Sequence, residues 1–147
     1  MSLSFVGNYR HSLDSKNRVF IPSKYRDKLE DSFYITRNLN SRSLVIYSQD
    51  EWDRKSQKIE EIPDAEAEDI KDIFYTEAID PTPDGQGRVT LSPALIEYAG
   101  INKNVVIAGY GNHIQIWAEE AWEARQKAKE TPERQDKTRE VILKYKL

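Results

Sequence analysis

The chain has 147 residues, enough for one domain or for two small ones packed together. It is 38% hydrophobic and 32% charged, with a net charge of −3 and a mean hydropathy of −0.76; this argues against a large dry core and fits either a small core under a large wet surface or a core finished by self-association. No apolar run approaches the roughly 20 residues of a membrane helix; Met1–Phe5 lacks the basic flank and apolar stretch of a signal peptide; and the absence of cysteine excludes thiol chemistry and suits a reducing cytoplasm.

The charge is unevenly spread. Residues 1–28 hold six bases (Arg10, Lys16, Arg18, Lys24, Arg26, Lys28) against two acids, a net +4. Residues 48–84 hold four bases against thirteen acids, a net −9. A local basic face steers a polyanion even when the total charge is negative.

In chain order, Phe5–His11 reads as a strand. Asp14–Asn17 is a turn, because Asp, Ser and Asn bend the backbone. Arg18–Ile21 is a second strand, and Pro22 suits the first position of a helix. In that helix Tyr25 and Leu29 lie four apart on one face. Ser32–Arg37 and Leu44–Tyr47 are strands joined by the polar turn Asn38–Ser43. Asp50 is expected to cap a helix carrying Trp52. Residues 53–74 are acidic, and Ile70, Ile73 and Phe74 mark Ala65–Phe74 as an amphipathic connector. Its carboxylates read as a wet face rather than as metal ligands.

Tyr75–Asp80 is expected to be a strand, and Pro81-Thr82-Pro83 leads stiffly into a second turn at Asp84. After it Arg88–Leu91 is a strand, Ser92 caps and Pro93 opens a helix, and Gly100 ends it. Asn104–Gly109 and His113–Trp117 are strands joined by Tyr110-Gly111-Asn112. Glu119 begins a helix carrying Trp122. Thr131-Pro132 interrupts it, and Glu133–Tyr145 resumes with an apolar patch of Val141, Ile142 and Tyr145.

A shift of 70 aligns the two halves. Asp14 meets Asp84, Arg18 meets Arg88, Val19 meets Val89, and Trp52 meets Trp122. The second copy reads as carrying one extra residue, Ser92, before its proline. The unit is about 45 residues long, too small to bury a core alone, so two copies interleaved about a pseudo-twofold axis are expected to share one barrel. The expected division is a first repeat over 7–52, an acidic helical connector over 53–76, a second repeat over 77–122 and a charged helical tail over 123–147.

Two roles are open for the paired motif. Asp14 and Asp84 brace the turns by pairing with Arg18 and Arg88. Alternatively, the arginines reach a nucleic acid, since a guanidinium fork matches phosphate oxygens and the O6/N7 edge of guanine. Lys16 and Arg10 would then add phosphate contacts that fix register. Catalysis finds little support. An aspartic dyad needs two carboxylates sharing a proton, whereas each aspartate here has an arginine four residues on. His11 and His113 stand too far apart for metal-ligand spacing, and no nucleophile–base set is present. Gly109-Tyr110-Gly111 sits in a hairpin, not before a helix, so it is no dinucleotide loop. No catalytic residue, metal or cofactor is expected.

Asp14-Ser15-Lys16-Asn17-Arg18 followed by Pro22, and Asp84-Gly85-Gln86-Gly87-Arg88 followed by Leu91-Ser92-Pro93, resemble the MraZ family of bacterial transcriptional regulators. Arg10-His11, Leu44–Trp52 and Ile114–Trp122 resemble it too. Asn17 stands where a glycine is common, and asparagine tolerates a left-handed turn. The resemblance implies an α+β fold: a duplicated swapped-hairpin, AbrB-like β-barrel with short helices outside and a helical tail. It also implies double-stranded DNA as partner, bound at promoter direct repeats by a ring-shaped homo-oligomer, in the cytoplasm at the nucleoid. The contacts would come from Arg18, Lys16, Arg10, Asn17 and Arg88, oriented by Asp14 and Asp84, with the first repeat carrying more of the binding than the glycine-rich second turn, and with no membrane and no small-molecule substrate. Tyr47, Trp117 and Trp122 would seal subunit contacts, although ordinary core packing is the favoured reading for Trp52 and Trp122. An alternative of the same barrel class is an antitoxin-type protein that binds a protein partner through its tail.

Overall fold

The apolar residues fall into short alternating runs, and each run becomes a strand with one dry face. The computed structural model describes residues 4–147, so Met1, Ser2 and Leu3 of the segment read as lacking a signal peptide lie outside the described residues. Among the described residues seven strands and six helices follow one another: β1 (Asn8–Ser12), β2 (Arg18–Phe20), α1 (Ser23–Leu29), β3 (Phe33–Arg37), β4 (Leu44–Ser48), α2 (Gln49–Glu60), α3 (Asp64–Phe74), β5 (Arg88–Thr90), α4 (Pro93–Ala99), β6 (Asn104–Gly109), β7 (Ile114–Ala118), α5 (Glu119–Ala128) and α6 (Pro132–Lys144). No helix of these is long and apolar enough to cross a membrane.

The strands pair across the repeats. One antiparallel sheet has the order β1-β6-β7-β4-β3, and β2 pairs with β5 in a two-stranded ribbon. In the ribbon Val19 faces Val89, and in the large sheet Val45 faces Gln115. Both pairs are 70 residues apart, so a pseudo-twofold axis runs through the ribbon and through the middle of the sheet. Between them lies the core. Val19, Ile21, Val89 and Leu91 from the ribbon meet Leu44, Ile46, Ile114 and Ile116 from the sheet, all essentially inaccessible. Helices α1 and α4 close its sides with Tyr25, Leu29, Leu95 and Ala99. Among the described residues the five-strand order runs from β1 to β3 without closing on itself. The mixed α+β duplication is as expected; the hydrogen bonds do not draw a closed barrel.

Several boundaries differ from the sequence reading. Ser48, not Asp50, caps α2: its Oγ accepts from the Glu51 N–H at 3.3 Å. Pro22 occupies the N-cap rather than the first turn of α1, while Pro93 does open α4. Pro22 and Ser92 are therefore equivalent caps, and Ser92 is no insertion. The extra length comes after the helix. Phe33 pairs with Ser48 and Val105 with Ala118; the second members are 70 apart, the first members 72. Two residues are thus added between α4 and β6 and removed from the following hairpin.

Tyr75–Asp80 is not a strand. Its one ladder contact is the Ile35–Ile79 bridge, the pseudo-symmetric partner of Tyr9–Ile107 at the other edge. Pro81 and Pro83 cannot donate to a ladder, which stops the pairing there.

The duplication also runs further than 45 residues. α5 occupies the place of α2 and α6 the place of α3. α3 folds back so that Phe74 is fully buried, with Trp52 stacked between its ring at 4.7 Å and Tyr34 at 4.3 Å. Trp52 is thus a packing residue. Trp122 meets Trp117 edge-on at 6.2 Å, on the outer face of the sheet.

Candidate nucleic-acid interface

Asp14 forms its turn by accepting. Its Oδ1 takes the N–H groups of Lys16 and Arg18, both at 2.9 Å, and its carbonyl takes the Asn17 N–H at 3.0 Å. The chain can close this way because Asn17 adopts φ 58°, a left-handed conformation asparagine tolerates. Asp84 repeats every bond. Its Oδ1 accepts from Gln86 at 2.9 Å and Arg88 at 3.0 Å, and its carbonyl from Gly87, which has φ 79°. Each Oδ2 then receives the Nε–H of its own arginine, Arg18 to Asp14 at 2.6 Å and Arg88 to Asp84 at 2.9 Å.

The ribbon sets the two turns side by side and couples them. Arg18 Nη1 lies 3.9 Å from Asp84 Oδ2, and Arg88 Nη1 lies 3.6 Å from Asp14 Oδ2. Two arginines and two aspartates thus alternate in one half-buried surface cluster with no net charge. The Arg18 backbone N–H, then its guanidinium and the Lys16 N–H, hold the Asp14 carboxyl below its ordinary 3.8, against a partial opposing push from burial. The Arg88 N–H leads the same depression at Asp84. Both carboxylates are ionised at neutral pH, which leaves no shared proton for acid–base chemistry.

Bracing and binding are compatible in this geometry. The aspartates take Nε and approach Nη1, and no protein partner is recorded for Nη2 of either arginine among the described residues. The outer edge of each fork is left for a ligand, and its direction is set by the carboxylate behind it.

The structure does not bring all the expected residues together. Lys16 and Asn17 are exposed at the tip of the first turn. Arg10 is elsewhere. Along β1, Tyr9 packs on Tyr25 and His11 on Phe20, so Arg10, between them, points to the opposite face. There it pairs with Glu119 at 3.7 Å and Glu123 at 2.7 Å on α5. The six bases of residues 1–28 therefore do not make one face: strand alternation sends Arg10 away, and the Lys28 ammonium donates to the Ser4 carbonyl at 2.7 Å.

One residue at the site was not singled out from the sequence. Arg26, on α1, donates through Nε to the Ile21 carbonyl at 2.8 Å and lies over the Phe20 ring. Its guanidinium packs on the second turn, so closely that a Cβ at Gly87 would sit 2.5 Å from Arg26 Cζ. Turn two carries no cation besides Arg88, and the first repeat supplies one. The counterpart of Arg26 is Ile96, so the repeat alignment alone could not reveal this.

Comparison with known proteins decides the family. The model of the family described as "MraZ protein, putative antitoxin-like" matches twice, over residues 4–72 and 74–143. The chain belongs to the MraZ family. Its relatives include the transcriptional regulator MraZ of Oenococcus oeni, 41% identical over 123 residues that cover 81% of this chain and 84% of the relative. The protein of the same name from Clostridium tetani is 39% identical over 121 residues, covering 81% and 84%. That from Natranaerobius thermophilus is 38% identical over 129 residues, covering 86% and 90%. These members are named as transcriptional regulators, not as enzymes. The second family match takes in most of α6, in agreement with its place in the repeat.

Proposed function

We propose that the chain is a sequence-specific DNA-binding transcriptional regulator that acts as a ring-shaped homo-oligomer on short direct repeats upstream of its own operon, in the cytoplasm at the nucleoid. The observation that carries this reading is the coupled pair of Asp-x-x-x-Arg turns, which aim two arginine forks outward from one β-ribbon. Arg18 and Arg88 meet bases or phosphates; Lys16, Asn17 and Arg26 add contacts that fix register. Arg10 takes no part at the ribbon. We read the two sheets, which wrap one core with strands exchanged between repeats, as a swapped-hairpin barrel left open at its edges.

One ribbon offers few phosphate contacts, and affinity rises with their number. Several ribbons arrayed on a ring engage several DNA repeats at once and gain avidity without new chemistry. The exposed apolar residues of α6 and its C-cap support self-association: Val141 is 51% accessible, Leu143 72% and Tyr145 64%. The same helix is what favours the antitoxin-type alternative, a tail that seats a different protein. Light scattering separates the two. A mass of many subunits for the isolated chain supports the ring, whereas a monomer that grows only on adding a partner supports the antitoxin reading.

The deciding experiment is a mobility shift on DNA from upstream of the chain's own gene, repeated at several salt concentrations. Arg18→Ala is expected to weaken binding by about 10- to 100-fold while the variant stays folded. Wild-type affinity is expected to fall steeply with salt. Unchanged affinity in a folded variant refutes the assignment.

A further inference from the structure

On the opposite side of the large sheet from the ribbon there is a cavity of about 550 Å³. It lies where the pseudo-twofold axis leaves the molecule, between α2 and α5. Its floor is made by β4 and β7 residues that face away from the core: Val45 beside Gln115 at the middle, Tyr47 beside His113 at one end and Trp117 at the other. Its walls carry a cation from each repeat at equivalent positions, Lys55 on α2 and Arg125 on α5.

The charge here runs against its surroundings. Residues 48–84 are the most acidic part of the chain and hold four bases, yet three of these, Arg54, Lys55 and Lys58, line this cavity. Their spacing puts them on one face of α2. The fourth, Lys71, pairs with Glu60. Glu51 is the one carboxylate in the lining, and it pairs with Arg54.

The floor is rigid and offers flat surfaces. Trp117 donates its indole N–H to Gln115 Oε1 at 2.8 Å, Gln115 Nε2 meets His113 Nε2 at 3.1 Å, and His113 Nδ1 meets Asn112 Oδ1 at 2.8 Å. Gln115 is buried and satisfied by this chain, which holds the Trp117 and His113 side chains in place, and Tyr47 packs on His113 at 5.7 Å. Arg125 lies over the Trp117 ring at 4.7 Å and donates to the Tyr110 hydroxyl at 3.1 Å.

We propose that this cavity is a binding site for a small phosphorylated molecule with a flat ring, of nucleotide size. The phosphate meets Lys55, Lys58 and Arg125, and the ring lies against Tyr47 at the His113 end of the floor. The volume is in the range of small-molecule sites, and aromatic floors with cationic walls suit stacked rings bearing phosphate. Neither Arg18 nor Arg88 borders the cavity, so the site does not depend on the DNA reading.

The test is calorimetric titration of the full chain, without DNA, using adenosine diphosphate, adenosine and inorganic pyrophosphate. Adenosine diphosphate is expected to bind saturably and at least tenfold tighter than either fragment. Lys55→Ala is expected to weaken it at least tenfold. Lys58→Ala, at an exposed position without a hydrogen bond or ion pair among the described residues, is expected to do so by at least threefold with an unchanged melting temperature. Absence of heat up to millimolar adenosine diphosphate, pyrophosphate binding as tight as the diphosphate, or full affinity in both folded variants overturns the assignment.

Discussion

The two repeats agree closely at their turns and disagree at their second helices. Asp14–Arg18 and Asp84–Arg88 make the same hydrogen bonds, atom for atom, and each reaches across to the other's aspartate. α3 and α6 occupy the same place in their repeats, yet α3 buries Ala67 and Phe74 while α6 buries nothing. The positions of Ala67 and Phe74 are held by Lys137 and Lys144. The lesson is where symmetry is needed. At the pseudo-axis the repeats pack on each other, so a change in one must suit the other. Away from the axis each helix is free to find its own partner, and α6 buries no side chain among the described residues.

The largest expected effect tests the helix half of this comparison. Phe74→Ala should cost about 3–5 kcal/mol, by loss of buried ring and the cavity left behind. Its counterpart Lys144→Ala should stay within about 0.5 kcal/mol. Urea unfolding of both variants reads the difference, and similar midpoints would end the claim that only α3 packs.

The turns should behave as equals. Arg18→Ala and Arg88→Ala are each expected to weaken DNA binding by about 10- to 100-fold, within roughly threefold of each other, and the double variant should lose more than either. A large inequality in the mobility shift would break the equivalence.

The asymmetry within the turns is smaller. Gly87→Ala should destabilise by about 1–2 kcal/mol, because an alanine resists φ 79° and its Cβ displaces Arg26. Asn17→Gly, at the equivalent place, should move stability by only a few tenths of that and with the opposite sign. Thermal melts of the pair suffice.

Next come the cations. Lys16→Ala on the first turn and Arg26→Ala beside the second should each reduce affinity by about fivefold and flatten the slope of log affinity against log salt by about 1. An effect at Lys16 alone would mean that Arg26 only packs.

Acid should act on both turns together and weakly. Asp14 and Asp84 titrate below 3.8 in the folded chain. The stability they contribute is complete above the unfolded carboxyl value and is lost as pH falls through the lower folded one. The urea midpoint should therefore fall below about pH 4, and less so in a variant carrying both Asp14→Asn and Asp84→Asn.

The sequence by itself determined what is local. Asp14 and Asp84 at the head of a turn, Asn17 and Gly87 at left-handed positions, Tyr25 and Leu29 four apart, and the alternation of Leu44 and Ile46 each act over a few residues. Their geometry follows from near neighbours, so the turns, most strands and the helices were legible. The two arginines and their aspartates were legible as pairs for the same reason. Only the tertiary structure decided what meets across the repeats. Strand exchange puts Arg18 beside Asp84, folds Arg26 of one repeat onto Gly87 of the other, and turns Arg10 to the far face with α5. It also replaced the one-residue offset expected at Ser92 by a two-residue offset in the loop before β6, because cap equivalence and ladder register, not proline spacing, fix the alignment. The cavity between α2 and α5 was invisible for the same physical reason. Lys55 and Arg125 stand 70 residues apart, and only the pairing of β4 with β7 brings their helices to one axis.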